Sequence, residues 1–256
     1  WWEDNLLSSA MKKLAEEPAD LLVFGFKSDT NGKETIPFSF APKAKHGDLS
    51  LPKEMQLGML DKNTRYLSVY FGAPWLQVIR RGLVTRAHLQ FDRAIHQSED
   101  TLFNITLLEH VKNVALLDEP LMYYRICDNS AFHRFQENLP EQLELINQRI
   151  RQFLEENHKS AEFWDAYDVW LMESYVRLLK RYFYHPNNPQ SEAEKKRAWK
   201  ALLTTCPSLK QLRRASWKKM YQSRKSYPLL LFFLLYCRCY ALNRRVMEWL
   251  LRTDRY

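Results

Sequence analysis

Apolar and polar positions divide the chain into a mixed first half and a helical second half. Apolar residues at helical spacing predict a helix over 4–17, and the apolar run 20–26 predicts a buried strand directly after it. A second long strand is predicted over 114–125. Between them, the polar and proline-containing stretch 27–53 predicts a hairpin or a surface excursion. This alternation indicates an α/β fold class.

Further elements are predicted in the middle of the first half. A strand is predicted to begin at Trp75, after the stop signal Gly72-Ala73-Pro74. A longer helix is predicted to start at Ser98, which is placed to cap it. Its apolar stripe consists of Leu102, Ile105, Leu108 and Val111.

Two adjacent carboxylates, Glu99 and Asp100, open this helix. Acidic residues are common in the first turn of a helix, because the helix dipole favours anions there. Ordinary helix-start chemistry is therefore one interpretation of the pair. A catalytic pair held on a rigid element is the other, and the surrounding residues favour it.

The second half of the chain is predicted to be helical. Its pattern predicts helices over 139–157, 160–184, 191–204, 208–222 and 228–252. The apolar run 228–237 has ten residues, whereas a helix needs roughly 20 to span a bilayer. The arginines and apolar residues that follow, Trp249 among them, are typical of a helix lying in a membrane interface. Packing on the preceding helices, with a solvated arginine face, is the alternative.

Composition and charge narrow the class of protein. The 256 residues are 46% hydrophobic, which is ample for one large domain or a domain with a helical appendage. Residues 191–256 carry 16 Lys and Arg against 4 Asp and Glu, so the excess positive charge behind the chain's net charge of +8 is concentrated in this tail. Such a tail meets nucleic acid or an anionic membrane, and nucleic acid ranks last because no recognition motif is present. The four cysteines lack zinc spacing and fit a reducing cytoplasm.

The order of motifs resembles a known family. A Trp75 strand, a Glu99-Asp100 helix and a strand ending Tyr123-Tyr124-Arg125, with Ser130 five residues on, resemble the catalytic half of bacterial family 2 glycosyltransferases. The opening residues Trp1 to Leu7 resemble the segment that follows the metal-binding Asp-x-Asp motif in those enzymes. That motif itself does not occur in this sequence.

The resemblance implies a fold and an organisation, including a short helix over about 81–88 after the Trp75 strand. We expect a partial glycosyltransferase A-type nucleotide-sugar fold, with the acceptor-side catalytic half over 1–135. A basic helical appendage over 136–256 is expected to follow it. We also expect that the chain lacks the family's N-terminal nucleotide-binding half. By itself it should then neither bind a nucleotide sugar tightly nor transfer from it.

The resemblance also implies roles for individual residues. Asp100 would be the catalytic base, kept ionised by the helix dipole, and Glu99 would orient the acceptor or the base. Arg125 and Ser130 would hold the donor diphosphate. Trp75 would form a wall of the acceptor pocket, and a core tryptophan is the alternative.

The implied activity is inverting transfer of a sugar from a nucleotide-sugar donor to an envelope polysaccharide or a lipid-linked acceptor. A divalent metal, Mg or Mn, is expected in the full-length enzyme, and this chain offers no clear site for it. His133 would be a metal or phosphate contact, or a structural histidine. The expected location is cytoplasmic, peripheral on the inner face of the cell membrane. A non-catalytic helical interaction or membrane-association module is the alternative function.

Overall fold

The structure is a computed structural model. It describes residues 1–30, 33–35, 49–61, 73–125, 134–212 and 226–253. The chain divides into two compact units, the first comprising 1–94 and 98–130 and the second 95–97 and 131–256. The catalytic role predicted for 1–135 and the role of appendage predicted for 136–256 stay predictions.

A four-stranded sheet forms the centre of the first unit. Its central strand β1 (Leu21–Thr30) pairs with β2 (Lys33–Thr35) and β3 (Gln77–Ile79), both antiparallel to it. The long strand β4 (Val114–Arg125) pairs with β1 in parallel, from Leu21↔Val114 to Asp29↔Arg125. The strands predicted over 20–26 and 114–125 are thus confirmed, and the first extends to Thr30. Strands β1 and β2 form the antiparallel pair of a hairpin.

The pairing of β1 with β4 shifts register at Gly25. Phe24 pairs with Leu117, but Gly25 pairs with Pro120, so β4 carries extra residues at this point. A Cβ atom on Gly25 would lie 3.1 Å from the Glu119 carbonyl oxygen, a tight contact that a small movement of that backbone would have to relieve. The bulge therefore favours glycine, and it precedes the carboxyl ends of both strands.

Helices cover both faces of this sheet. Helix α1 (Leu6–Glu16) packs against one face. Helices α2 (Leu51–Leu60), α3 (Arg81–Arg86) and α4 (Glu99–His110) contribute to the core on the other face. The predicted helices near 4–17, 81–88 and 99 onward are confirmed. Each sheet face thereby gains an apolar cover, as an α/β layer requires.

One strand boundary was predicted wrongly. Trp75 lies in a single 3₁₀ turn, Pro74–Leu76, and β3 begins only at Gln77. Pro74 at the start of this turn fixes φ in the helical range, which favours a turn over a strand. The ring of Trp75 is consequently placed beside the sheet by a rigid turn.

The second unit is helical. It contains α5 (Leu139–Glu156), α6 (Ala161–Leu178) with a π-helical turn (Leu179–Phe183), α7 (Glu192–Thr205), a 3₁₀ turn (Pro207–Gln211), α8 (Ser226–Tyr236) and α9 (Tyr240–Arg252). Among the described helices, none is both long enough and apolar enough to cross a bilayer.

One helix prediction for the second unit was wrong. The predicted helix 228–252 is broken into α8 and α9, because Arg238 adopts a left-handed φ of 56°. This break is not marked by glycine, the usual sequence signal for such a change of direction. The predicted helix 208–222 overlaps the 3₁₀ turn Pro207–Gln211, but its residues from 213 onward lie outside the described residues, so it stays a prediction.

Buried polar side chains fasten the helices of this unit. Asn147 Oδ1 accepts hydrogen bonds from Trp170 Nε1 at 2.8 Å and Ser174 Oγ at 3.2 Å. Asn243 Nδ2 donates to the Leu231 carbonyl at 2.9 Å. These bonds tie α5 to α6 and α8 to α9 at defined positions.

Candidate functional site

The carboxyl ends of β1 and β4 lie at one edge of the sheet because these strands are parallel. In open α/β sheets this edge is where ligands bind. Tyr123 and Tyr124 are neighbours near the end of β4, so their side chains point to opposite faces. Each tyrosine is the centre of a separate cluster.

The first cluster is aromatic. Trp75 and Tyr124 stack with ring centroids 5.3 Å apart and planes 10° apart. Phe26 lies edge-on to both rings, at 5.3 Å from Trp75 and 6.2 Å from Tyr124. Phe26 is buried, whereas Tyr124 is 45% exposed and Trp75 is half-buried. Trp75 is therefore part of a surface wall that rests on the core.

The second cluster is polar and was not found from the sequence. Lys27 Nζ donates to Glu3 Oε1 at 2.8 Å and to the Tyr123 hydroxyl at 2.9 Å, and that hydroxyl donates to Glu3 Oε1 at 2.8 Å. The hydrogen bonds from Lys27 and then Tyr123 lower the pKa of Glu3, and the bond to Glu3 raises the pKa of Lys27. Both groups thus stay charged around neutral pH. Trp1 covers the cluster by stacking on Tyr123 at 4.7 Å.

Arg125 ends β4 beside this second cluster. Its guanidinium lies 5.1 Å from the centre of the Trp1 ring, and its Nε is 4.0 Å from Asp29 Oδ2. The side chain is largely exposed, so its donors face the edge where β4 ends. Ser130 and His133, predicted to act beside it, lie outside the described residues.

Glu99 and Asp100 occupy the first turn of α4, as predicted. Three residues, 111–113, separate α4 from β4. Leu107 and Leu108 of α4 lie in the same core as Leu21 of β1, so α4 packs on the sheet. Asp100 is half-buried. Burial, and secondarily the charge of Glu99, raises the pKa of Asp100 to about 6.

This shift adds to the expected electrostatics of Asp100. Burial and the charge of Glu99 favour the protonated form, whereas the helix dipole favours the ionised form. A pKa of about 6 leaves Asp100 ionised at neutral pH. Ser98 was also predicted to cap the helix. It adopts a left-handed φ of 61°, and its side chain makes no capping hydrogen bond.

The buried side of α4 also differs from the predicted stripe. Ile105, Leu108 and Val111 are buried as predicted, but Leu102 is only half-buried. Asn104 and Leu107 are fully buried in addition. The stripe is thus rotated toward the side of the helix that carries Asp100.

A divalent metal does not fit the described residues. In those ranges, no group of three or more His, Cys, Asp and Glu side chains is arranged to hold a metal ion. The sequence itself contains no Asp-x-Asp motif. We therefore derive no catalytic step through a metal.

Known proteins resemble this chain in sequence and in fold. No protein-family model matches the chain. The chain is 30% identical over 132 residues to the uncharacterized glycosyltransferase EpsJ of Bacillus subtilis (strain 168), covering 50% of this chain and 37% of that protein. It thus spans little more than a third of this curated relative.

Solved structures share the fold. S. aureus TarS 1-349 in complex with UDP-GlcNAc matches with a TM-score of 0.56 at 15% identity, covering 99% of this chain and 65% of that one. The same protein in complex with UDP matches with a TM-score of 0.53 at 18% identity, covering 98% and 63%. The predicted glycosyltransferase-type α/β fold is therefore confirmed.

Proposed function

We propose that this chain is the acceptor-side part of an inverting glycosyltransferase. It would move a sugar from a nucleotide-sugar donor to an envelope polysaccharide or a lipid-linked acceptor. The likeness to EpsJ and to TarS, which was solved with UDP-GlcNAc, supports the transferase class and a nucleotide-sugar donor. The half-buried Asp100, in the first turn of a helix that packs on the sheet, is the observation that carries the proposal.

Asp100 has the properties of a general base for this reaction. Its carboxylate would take the proton of an acceptor hydroxyl while that oxygen forms a bond to the anomeric carbon of the donor. The bond from that carbon to the diphosphate oxygen breaks, and the electron pair leaves with the diphosphate. A pKa of about 6 keeps the group ionised at neutral pH and makes it more basic than an ordinary aspartate. Glu99 orients the acceptor and raises the pKa of Asp100 through its charge.

The clusters at the sheet edge fit the two substrates. The partly exposed Tyr124 ring, which stacks on Trp75, presents a flat aromatic wall. Such a wall packs well against the C–H face of an acceptor sugar. The Arg125 guanidinium presents a fork of donors that matches phosphate oxygens and would hold the leaving diphosphate with Ser130.

Calorimetry with UDP and UDP-sugars tests the donor side of this proposal. The protein to use is the full-length gene product, since the chain alone is predicted to bind donors weakly. We expect Arg125→Ala to weaken binding of the diphosphate at least tenfold, because a hydrogen bond to a charged group contributes about 1.5–3 kcal/mol. Arg80→Ala is the control, since Arg80 pairs with Asp20 at the amino end of β1. Equal affinities in all three proteins would contradict the role of Arg125.

A specific observation favours membrane association as a second property. Large apolar side chains are exposed on α8 and α9, and they accompany the basic tail. These residues are Leu230, Phe233, Tyr236, Leu242, Trp249 and Leu251. We propose that they attach the protein to the inner face of the cell membrane, where a lipid-linked acceptor would be available.

A further inference from the structure

Asn104 is a polar residue in an apolar place. It is 0% exposed, in the middle of the face that α4 turns to the core. Neither its Nδ2 nor its Oδ1 has a hydrogen-bond partner among the described residues. A buried amide without partners destabilises a fold by several kcal/mol in general, and native proteins rarely retain one without a reason. A leucine at this position would continue the stripe of Leu107 and Leu108.

The position of Asn104 points to Asp100. Side chains at i and i+4 of a helix are neighbours, with Cβ atoms about 5–6 Å apart. Helical side chains also lean toward the N-terminus, so the amide of Asn104 lies over the turn that carries Asp100. The core-facing side of α4 thus begins with a half-buried carboxyl followed, one turn later, by a fully buried amide.

We propose that Asn104 is the positioning residue for the Asp100 carboxyl. Its Nδ2–H group donates a hydrogen bond to the carboxylate, and its Oδ1 accepts one from the carboxylic acid after Asp100 has taken a proton. One amide can serve both protonation states because it carries a donor and an acceptor. The catalytic meaning of this bond rests on the proposed function, but the bond itself does not.

In the structure this bond is not made, since Asn104 has no hydrogen-bond partner among the described residues. Catalytic hydrogen bonds are often long in the absence of substrate and tighten in the substrate complex. Rotation of the half-buried Asp100 side chain about its own bonds closes the gap, because Asn104 is held in the core. The pair thereby fixes the direction in which Asp100 presents its free oxygen.

The other charged groups near this turn are few. Glu99 is the charged residue, among those the structure describes, whose field acts on Asp100. At the opposite end of the helix, Glu109 accepts a hydrogen bond from Gln56 of α2, which also donates to the Ile105 carbonyl. Gln56 is thus already engaged, and Asn104 is the buried amide that remains for Asp100.

An NMR titration of the chain tests the proposal without any transferase assay. The side-chain amide resonances of Asn104 in the unmodified protein should shift with pH, with a midpoint equal to the pKa measured for the Asp100 carboxyl itself. In Asp100→Asn this midpoint should disappear. An Asn104 amide that does not respond between pH 4 and about 8 would overturn the proposal.

Carboxyl ¹³C titration of variants gives the second readout. Asn104→Leu should raise the pKa of Asp100 by about one unit or more, because the ionised form loses a donor. Asn104→Ser keeps a hydroxyl donor and should restore part of the shift. Thr106→Val, which removes a hydroxyl bonded to the Leu102 carbonyl on the same helix, should leave the pKa unchanged. An unchanged pKa in Asn104→Leu, or an equal rise in the serine variant, would mean that Asn104 does not position Asp100.

The acid limb of the pH–rate profile separates this inference from the proposed function. In the active full-length protein, Asn104→Leu should move that limb to higher pH. The size of this shift should equal the rise in the pKa of Asp100. If the NMR coupling is present but no sugar is transferred, the proposed function fails and the positioning bond stands. If transfer occurs and the limb does not move, the positioning role fails.

Discussion

Trp75 and Tyr124 stack face to face across the edge of the sheet, with their ring centroids 5.3 Å apart. Two different backbone devices bring the rings together. Tyr124 stands near the end of the longest strand, and Trp75 stands in the 3₁₀ turn that leads into β3. Tyr124 pairs with Ser28 of β1, and the turn that carries Trp75 leads directly into β3, which also pairs with β1. The aromatic wall therefore exists before any ligand arrives.

A double-mutant cycle measures this contact. Trp75→Ala and Tyr124→Ala should each lower the free energy of unfolding, and the double variant should lose about 0.5–1.5 kcal/mol less than the sum, the usual value for a stacked pair. Denaturant unfolding of the four proteins gives the coupling. Additive losses would show that the rings do not stack in solution.

Asp100→Asn should stabilise the chain at neutral pH. The pKa of Asp100 is raised from 3.8 to about 6, so the folded state binds this proton more tightly than the unfolded state does. The native protein therefore loses stability as the pH rises from 3.8 through about 6, and the asparagine variant does not. Because Asp100 is half-exposed, we expect a gain of about 1 kcal/mol.

Denaturant unfolding near pH 7 and below pH 3.8 checks this prediction. The gain should vanish at the lower pH, where both states are protonated. Glu162→Gln is the control, because Glu162 lies in the first turn of α6 and is exposed. A gain that is the same at both pH values would not come from ionisation of Asp100.

The ion pair of Lys27 and Glu3 should stabilise the chain over a wide pH range. The pKa of Glu3 is lowered, so its contribution is present above its ordinary pKa of 4.5 and disappears as the pH falls through the lower folded value. The raised pKa of Lys27 preserves the contribution up to strongly alkaline pH. Glu3→Gln should accordingly lower the melting temperature at pH 7.

The neighbouring Asp4 provides a matched control for this variant. Asp4→Asn removes the same charge from an exposed position, so its melting temperature should stay close to that of the unmodified chain. The difference between Glu3→Gln and the unmodified chain should shrink well below pH 4.5. Equal melting temperatures for the two variants at pH 7 would contradict the network.

The sequence predicted the local elements well because each has a local signal. The start of α4, both long strands and the glutamate–aspartate pair follow from patterns within a few residues. The network of Glu3, Lys27 and Tyr123 has no such signal, because it depends on which residue of β1 pairs with which residue of β4.

Other features escaped prediction for different physical reasons. Asn104 looks like a solvated position in a helical pattern, and only tertiary packing buries it. Arg238 ends α8 in a conformation that glycine usually adopts, so the sequence carried no break signal. The raised pKa of Asp100 depends on burial, which tertiary packing determines. The sequence indicates only the opposing effect of the α4 helix dipole, which favours the ionised form.

Liposome co-sedimentation tests the proposed membrane attachment. Each Lys or Arg near an anionic surface contributes about 1 kcal/mol, so binding should require anionic lipid and weaken with salt. Replacing the exposed Phe233 and Trp249 by serine should reduce binding, whereas replacing the exposed Leu7 and Met11 of α1 should not. Equal sedimentation with neutral and anionic vesicles would contradict this attachment.

Sugar transfer by Asp100→Asn is the most direct test of the central claim. The assay measures release of nucleoside diphosphate and transfer of labelled sugar by the full-length gene product. Loss of a general base typically lowers the rate about 10²–10⁴-fold, and we expect that loss with little change in donor affinity. Glu162→Gln, with the same neutralisation in another helix start, should retain full activity. Transfer by Asp100→Asn at the rate of the unmodified protein would contradict the assignment of Asp100 as the base.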